Sequence, residues 1–388
     1  MKAKALAGRS TRKATENRAI GCQASGRYVA NRKAFLRSFR SLSSFIISLG
    51  LPFVTAGCGG GRGGGSLPGP GASPSIYLTQ VIPALGSTQT SNILLFPSTA
   101  NGTVSPTSTL TGPDGVVFSG LTVDGTGNAY VGGEIFGTGG GSGGPPLLSA
   151  EILVYAPGSS GTHPTRTITS SSLQGNGGGI NALAVDNSGN LYVSAVLANV
   201  GNGVAIFPSA AGSNAVPTRT IGGSATAIVG LRTIPIAVDS ADNIYISSAD
   251  PLAPNSILIF NSTAIGNVSP TSTIGGTTTT INAIQGLAVD SAGNIYVSNV
   301  SSDQNATPDI LEFSAGSTGD VAPTRIISGA ATTMGSIRDL ALDSAGNIYV
   351  ISDASLLKFA ANAAGNVAPI AMITPTGSLV FDYDIAVH

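Results

Sequence analysis

The 388-residue chain carries 18 Lys/Arg against 19 Asp/Glu, with 53 glycines, no tryptophan and two cysteines. Two cysteines cannot staple a chain of this size, and windows rich in Ala, Leu, Glu and Lys are missing, which excludes a disulfide scaffold and a helical bundle. The net charge of −1 hides a split: residues 1–57 hold 11 Lys/Arg against one acid, Glu16, and residues 58–388 hold 7 against 18, without the basic clusters that phosphate neutralisation needs, which excludes a nucleic-acid partner.

The first predicted segment is an address. In "RKAFLRSFRSLSSFIISLGLPFVTAGC" basic residues precede an apolar stretch (Leu42 to Val54), and small residues precede Cys58. The apolar run is short and broken by Ser, Gly and Pro, unlike a membrane-spanning helix. "VTAGC" (Val54 to Cys58) resembles a bacterial lipobox, with Thr55 where Leu is usual. That resemblance implies a removed leader over 1–57, lipidation at Cys58, and an exported protein anchored to the bacterial envelope, at the outer membrane or cell surface. "NRKAFLR" (Asn31 to Arg37) resembles the twin-arginine export motif with Lys33 in the second arginine's place, so both export routes stay open. Residues 58–74, with "GGGRGGGSLPGPGAS", read as a flexible tether.

From residue 75 the chain is a repeat. "LAVDSAGNIYVSN" at Leu287 returns as "LAVDNSGNLYVSA" at Leu183, "IAVDSADNIYISS" at Ile236, "LALDSAGNIYVIS" at Leu340 and, more loosely, "LTVDGTGNAYVGG" at Leu121. The aligned aspartates Asp124, Asp186, Asp239, Asp290 and Asp343 are 62, 53, 51 and 53 residues apart, the long gap holding a Gly-rich insertion (Phe136 to Leu148). Each unit predicts four short strands, for example "GLAVD", "NIYVSN", "DILEF" (Asp309 to Phe313) and "PTRIIS" (Pro323 to Ser328). Four strands at a period near 50 predict a β-propeller blade. Apolar runs without alternation suit sheets buried on both faces. Small residues centre the first strand (Thr122, Ala184, Ala237, Ala288, Ala341), and aromatics end the third (Phe96, Tyr155, Phe207, Phe260, Phe313, Phe359), as a wedge requires.

In "D-x-x-G-N" the aspartate bonds its own turn and Gly takes a left-handed conformation, with Asp242 standing in once. The five aspartates are therefore read as structural, not as calcium ligands. At the ends, "SIYLTQ" (Ser75 to Gln80) matches a second strand with no first strand before it, and "IAVH" (Ile385 to His388) matches a first strand with nothing after it. Together they complete one blade, which predicts an all-β ring of six blades over 75–388. The phrase "xVDxxGNxYV" resembles the NHL repeat, which implies a six-bladed propeller used for binding; the usual Arg-Ile of that family is absent here.

Chemistry is sparse. His163 and His388 have no repeated partner, no G-x-S-x-G supports a catalytic triad, and no His/Cys cluster has zinc spacing. "GGGRGGG" lacks the Lys-Ser/Thr of a phosphate loop. Loops leaving second strands and entering first strands vary in length and content. They carry Glu134, Asp250, Asn299, Asp303, Asp353 and Arg232 as candidate binding residues. Arginines of the "PTRT" segments (Arg166, Arg219, and Arg325 in "PTRI") are read as charges that blunt an exposed outer edge. The expected protein is a monomeric, lipid-anchored binding scaffold for a protein or glycan, not an enzyme and needing no cofactor. One alternative is a hydrolase resembling the sugar-lactone hydrolases, also six-bladed, which hold an axial calcium-type ion with Glu, Asn and Asp. Another is a structural envelope protein.

Overall fold

The computed structural model describes residues 75–82, 89–137, 147–159, 163–174, 179–230, 234–249, 255–301, 307–376 and 384–388. The expected leader, Cys58 and the tether lie outside the described residues, as do Arg232, Asp250 and Asp303.

The described strands form six sheets, in each of which four blade strands run antiparallel from the ring axis outward. Blade one holds Val116–Val123, Ala129–Phe136, Leu147–Tyr155 and Arg166–Thr169, and blade two Ile180–Val185, Leu191–Leu197, Gly201–Phe207 and Arg219–Gly222. Blade three holds Ile236–Val238, Ile244–Ser248, Ser256–Phe260 and Ser272–Gly275. Blade four is Ala283–Val289, Ile295–Val300, Asp309–Phe313 and Arg325–Ser328, and blade five Ile337–Leu342, Ile348–Ser352, Ser355–Phe359 and Ala371–Pro375. The sixth blade joins the chain's two ends: Ile385–Val387 lies innermost, followed by Ser75–Ile82, Thr90–Pro97 and Ser108–Thr111. Its register pairs Ile76 with Val387, Tyr77 with Ala386 and Leu78 with Ile385. Backbone bonds extend it at both ends, from Ser75 N to His388 O (2.7 Å), His388 N to Ser75 O (3.0 Å) and Thr79 N to Asp384 O (3.1 Å).

No blade has a core of its own. The buried apolar residues form six clusters, each drawn from two neighbouring blades. Tyr77, Ile93 and Leu95 meet Phe118, Val131 and Tyr155, for instance. Each of the six third-strand aromatics is at most 1% exposed. Burying such a side chain is worth roughly 1.5–3 kcal/mol, and a lone blade would leave two such faces in water, so the repeat is stable only as a ring.

The rim differs from the sequence expectation. Outer strands are not bare edges: the connection between third and fourth strands of the next blade bridges onto each of several. The parallel bridges Ile221–Gly266, Ile274–Gly319 and Ile327–Gly365 recur at equivalent places. At the seam the contact widens to three pairs, Ile373–Gly102, Thr374–Thr103 and Pro375–Val104. The ring is thus closed at its rim as well as at its axis, a clasp the repeat pattern did not reveal. Gly266 sits at φ +74° with open space where a Cβ would stand, so glycine is used there for its backbone conformation. The arginines are clamps between blades. Arg166 Nη1 donates to Ser209 O (2.6 Å), Arg325 Nη1 to Ala361 O (2.6 Å), and Arg219 Nη1 to the carbonyls of Ser262 and, at 3.1 Å, Ala264. Their guanidinium groups also lie over Tyr130 (Arg166) and Tyr296 (Arg325) of their own blades.

Candidate functional site at the mouth of the axial channel

The two faces of the ring are built differently. On one face every full blade repeats a single hydrogen-bonded turn. Asp290 Oδ1 accepts from the backbone N–H of Ala292 (2.9 Å) and Asn294 (2.8 Å), while Oδ2 accepts from Asn294 Nδ2 (2.9 Å) and the Tyr296 hydroxyl (3.3 Å). Asp124, Asp186, Asp239 and Asp343 make the same set with their own asparagines and tyrosines. Burial works upward on Asp124, Asp239 and Asp343, but these donors outweigh it and hold all three below the usual carboxylate value. Burial and the adjacent carboxylate push the hydroxyls of Tyr130, Tyr192, Tyr245 and Tyr296 up to about 12. A group so saturated has little left to offer a ligand.

The other face opens onto a channel of about 260 Å³ lined by the six innermost strands. One small residue per blade (Thr122, Ala184, Ala237, Ala288, Ala341, Ala386) keeps its waist open. At the mouth, the inner strands of four blades slip register: between Ser119 and Leu121, at the step opposite Ser194 and Ala195, between Ile284 and Gly286, and between Ile337 and Leu340. Such bulges re-aim side chains, and here they bring non-equivalent residues to the lining. Four positions before each turn aspartate, or before His388, stand Gly120, Ala182, Pro235, Gly286, Asp339 and Asp384. Asn181 and Gln285 join the lining beside them.

The mouth is therefore polar and asymmetric. Asp339 Oδ1 accepts from Leu340 N (2.8 Å) and Oδ2 from Ile385 N (3.1 Å); Asp384 Oδ2 accepts from Gly120 N (2.8 Å). Gly286 permits this approach, since a Cβ there would lie 2.5 Å from Leu340 N and 2.6 Å from Asp339 Oδ1. Burial, then the Asp384 carboxylate, push Asp339 up to about 8, against the pull of its two N–H donors. Asn181 Nδ2 is buried with no hydrogen-bond partner, a donor whose desolvation costs roughly 1–3 kcal/mol until an acceptor meets it. Acceptors on one side of the mouth and amides on another suit a polar ligand that both donates and accepts.

The residues singled out in the sequence fall elsewhere on this face. Glu134 lies near the end of the second strand of blade one, its carboxylate packed over the Gly179 backbone. Asn299, 1% exposed, accepts from Asn282 N (2.7 Å) and donates to Thr280 O (3.2 Å) and Asp309 Oδ1 (2.8 Å), which makes it a brace for blade four. Asp353, at φ +51°, occupies the tight turn of blade five and accepts from Ser336 N (3.0 Å). The structure does not bring these three together, and among the described residues no group of three or more His, Cys, Asp or Glu gathers in a metal-holding arrangement. The mouth residues escaped notice because the repeat alignment draws the eye to positions that recur. Their signal lies in the position that changes from unit to unit just before "LAVD".

Ring and mouth together define a six-bladed β-propeller with an open polar axis. No protein-family signature matches the chain, and no curated protein does. Among solved structures it is similar to a protein of unknown function from Bacteroides caccae, with a TM-score of 0.50 and 8% identity over 81% of this chain and 99% of that one. It is also similar to the WD40 domain of Toxoplasma gondii coronin (TM-score 0.42, 11% identity, covering 77% of this chain and 68% of that one). A third is the PQQ-bound aldose sugar dehydrogenase of Streptomyces coelicolor (TM-score 0.42, 14% identity, 73% and 84%). At such identities the likeness is one of fold alone.

Proposed function

We propose that this chain is an NHL-like binding scaffold, exported and held to the bacterial envelope by a lipid on Cys58, which engages a protein or glycan as a monomer through the loop face of the ring. The observation that carries this reading is the contrast between the faces. One repeats the same saturated turn; the other sets different residues around the channel and joins second to third strands by connections that run from 353–354 to 137–146. A rigid frame with variation confined to one face is the arrangement of a recognition surface. The described chain enters the ring at Ser75, whose backbone bonds to His388 put it on the turn face. For the lactone-hydrolase alternative, Asn299 and Asp353 are bound within their own blades, and the acids that do reach the axis, Asp339 and Asp384, accept backbone N–H groups of Leu340, Ile385 and Gly120.

The test is a photoreactive residue placed on intact cells either at the mouth, replacing Gln285, or on the turn face, replacing the exposed Ala292. A discrete adduct from the Gln285 position alone supports the reading. Equal adducts from both positions, or adducts from Ala292 alone, would overturn it, and none from either would favour a purely structural envelope role.

A further inference from the structure

We propose that Asn101 is a self-modifying site at the rim of the ring: its side-chain amide is attacked by the Gly102 nitrogen, and the product releases the clasp that joins blades five and six. Among the described residues Asn precedes Gly twice, at 101–102 and at 202–203. The first pair lies in the clasp, where Gly102–Val104 runs beside Ala371–Pro375. In the corresponding contacts at Gly266, Gly319 and Gly365 the preceding residue is Ile265, Thr318 and Ala364. Among these contacts the reactive pair therefore stands at the shared blade alone.

The surroundings favour the reaction. Asn101 and Gly102 are exposed, and nothing lies within 4 Å of where a Gly102 Cβ would stand, so the nitrogen meets no steric screen. Met372 N–H donates to Asn101 Oδ1 (3.1 Å), which draws electron density from Cγ and makes it a better electrophile. Attack forms the bond from Gly102 N to Asn101 Cγ and breaks the one from Cγ to Nδ2. Ammonia leaves, carrying the proton from the Gly102 nitrogen. Water then opens the cyclic imide at either carbonyl. One product is aspartate, which still accepts from Met372. The other is isoaspartate, whose main chain runs through the former side chain and is longer by a methylene. That insertion shifts Gly102, Thr103 and Val104 out of register with Ile373, Thr374 and Pro375, and strains the bond from Thr376 N to Val104 O (2.9 Å). The clasp strand holds no buried residue, so it opens locally at small cost and frees its nitrogen to attack. Asn202–Gly203 is the opposite case. It lies inside the strand Gly201–Phe207, where Gly203 is buried and paired with Ala195 and Gly222, and Asn202 Nδ2 donates to Gly230 O (2.6 Å).

The test incubates the full-length protein at pH 6 and pH 8 and follows the peptides holding Asn101 and Asn202 by mass spectrometry, with chromatography to separate aspartate from isoaspartate. Asn101 should convert on the order of tenfold faster than Asn202, and faster at pH 8, where the attacking nitrogen loses its proton more readily. In the isoaspartate fraction, amide exchange should show lost protection at Met372 and Thr376. Ser328, whose N–H donates to Gly365 O in the clasp of the next blade pair, should keep its protection. Asn101→Gln, whose longer side chain closes a six-membered ring slowly, should stay unmodified and hold its starting protection throughout. Equal conversion of Asn101 and Asn202, or an unconverted Asn101, would overturn the site. Isoaspartate at 101 with protection intact at Thr376 would overturn the release of the clasp. Should the variant fail to fold, the comparisons of Asn101 with Asn202 and of Thr376 with Ser328 in the wild type still decide.

Discussion

Deleting residues 385–388 removes the innermost strand of the shared blade, and the structure sets the size of the effect. Ile385 is 4% exposed and Ala386 8%, packed in separate clusters on opposite faces of the blade. Burial of the isoleucine is worth about 1.5–3 kcal/mol. The two ladder bonds between Ser75 and His388 add roughly 0.5–1.5 kcal/mol each. The bond from Ile385 to Asp339 is lost as well. A loss on the order of 5 kcal/mol is a large share of the ~5–15 kcal/mol that holds a typical domain folded. At ~2–4 °C per kcal/mol the melting temperature should drop by about 10–20 °C. Differential scanning calorimetry of the truncated and intact chains reads this directly. The exposed edge of Ser75–Ile82 should also show as strand-mediated dimers on size-exclusion chromatography. Removing residues 59–65 serves as the control and should leave the transition in place. A truncated protein that melts within a degree or two of its parent would refute the shared blade, and the six-blade closure with it.

The acid limb of stability should come from the turns. Asp124, Asp239 and Asp343 sit below their usual value in the fold, so their contribution is present above the unfolded value of roughly 3.9 and is lost as pH falls through the folded one. Replacing Asp343 by Asn should lower the melting temperature at pH 7 and shrink the fall between pH 5 and 3. Arg219→Met, which removes the clamp onto Ser262 and Ala264, should cost about 1–3 kcal/mol in urea unfolding. Cys58→Ser should shift the protein from the membrane fraction to the soluble one or leave it unprocessed; a mature protein with unmodified Cys58 and another cleavage site would defeat the anchor. Lactonase and esterase assays with added calcium, zinc or manganese should show no turnover. Metal-dependent turnover abolished by changing Glu134, Asp250 or Asp353 would restore the hydrolase alternative.

The sequence by itself determined the ring. Its four-strand period, its small inner and bulky outer residues, and the complementary ends "SIYLTQ" and "IAVH" are local facts about composition and spacing, and burial on both faces of every blade leaves a lone unit no stable alternative. The turn chemistry was legible for the same reason, since Asp, Gly, Asn and Tyr act within seven residues of one another. Tertiary structure alone decided which residues from different blades meet. The arginines that looked like edge charges reach carbonyls about forty residues onward in the next blade, Arg166 to Ser209 among them. The rim clasp of Ile373 with Gly102 joins neighbouring blades through residues far apart in the chain. The acid pair of Asp339 and Asp384 arises from a bulge in one inner strand and from the residue preceding another. Spacing along a chain constrains what a residue does to its neighbours in sequence, whereas a site on the ring axis takes one residue from each blade, and only closure brings those residues together.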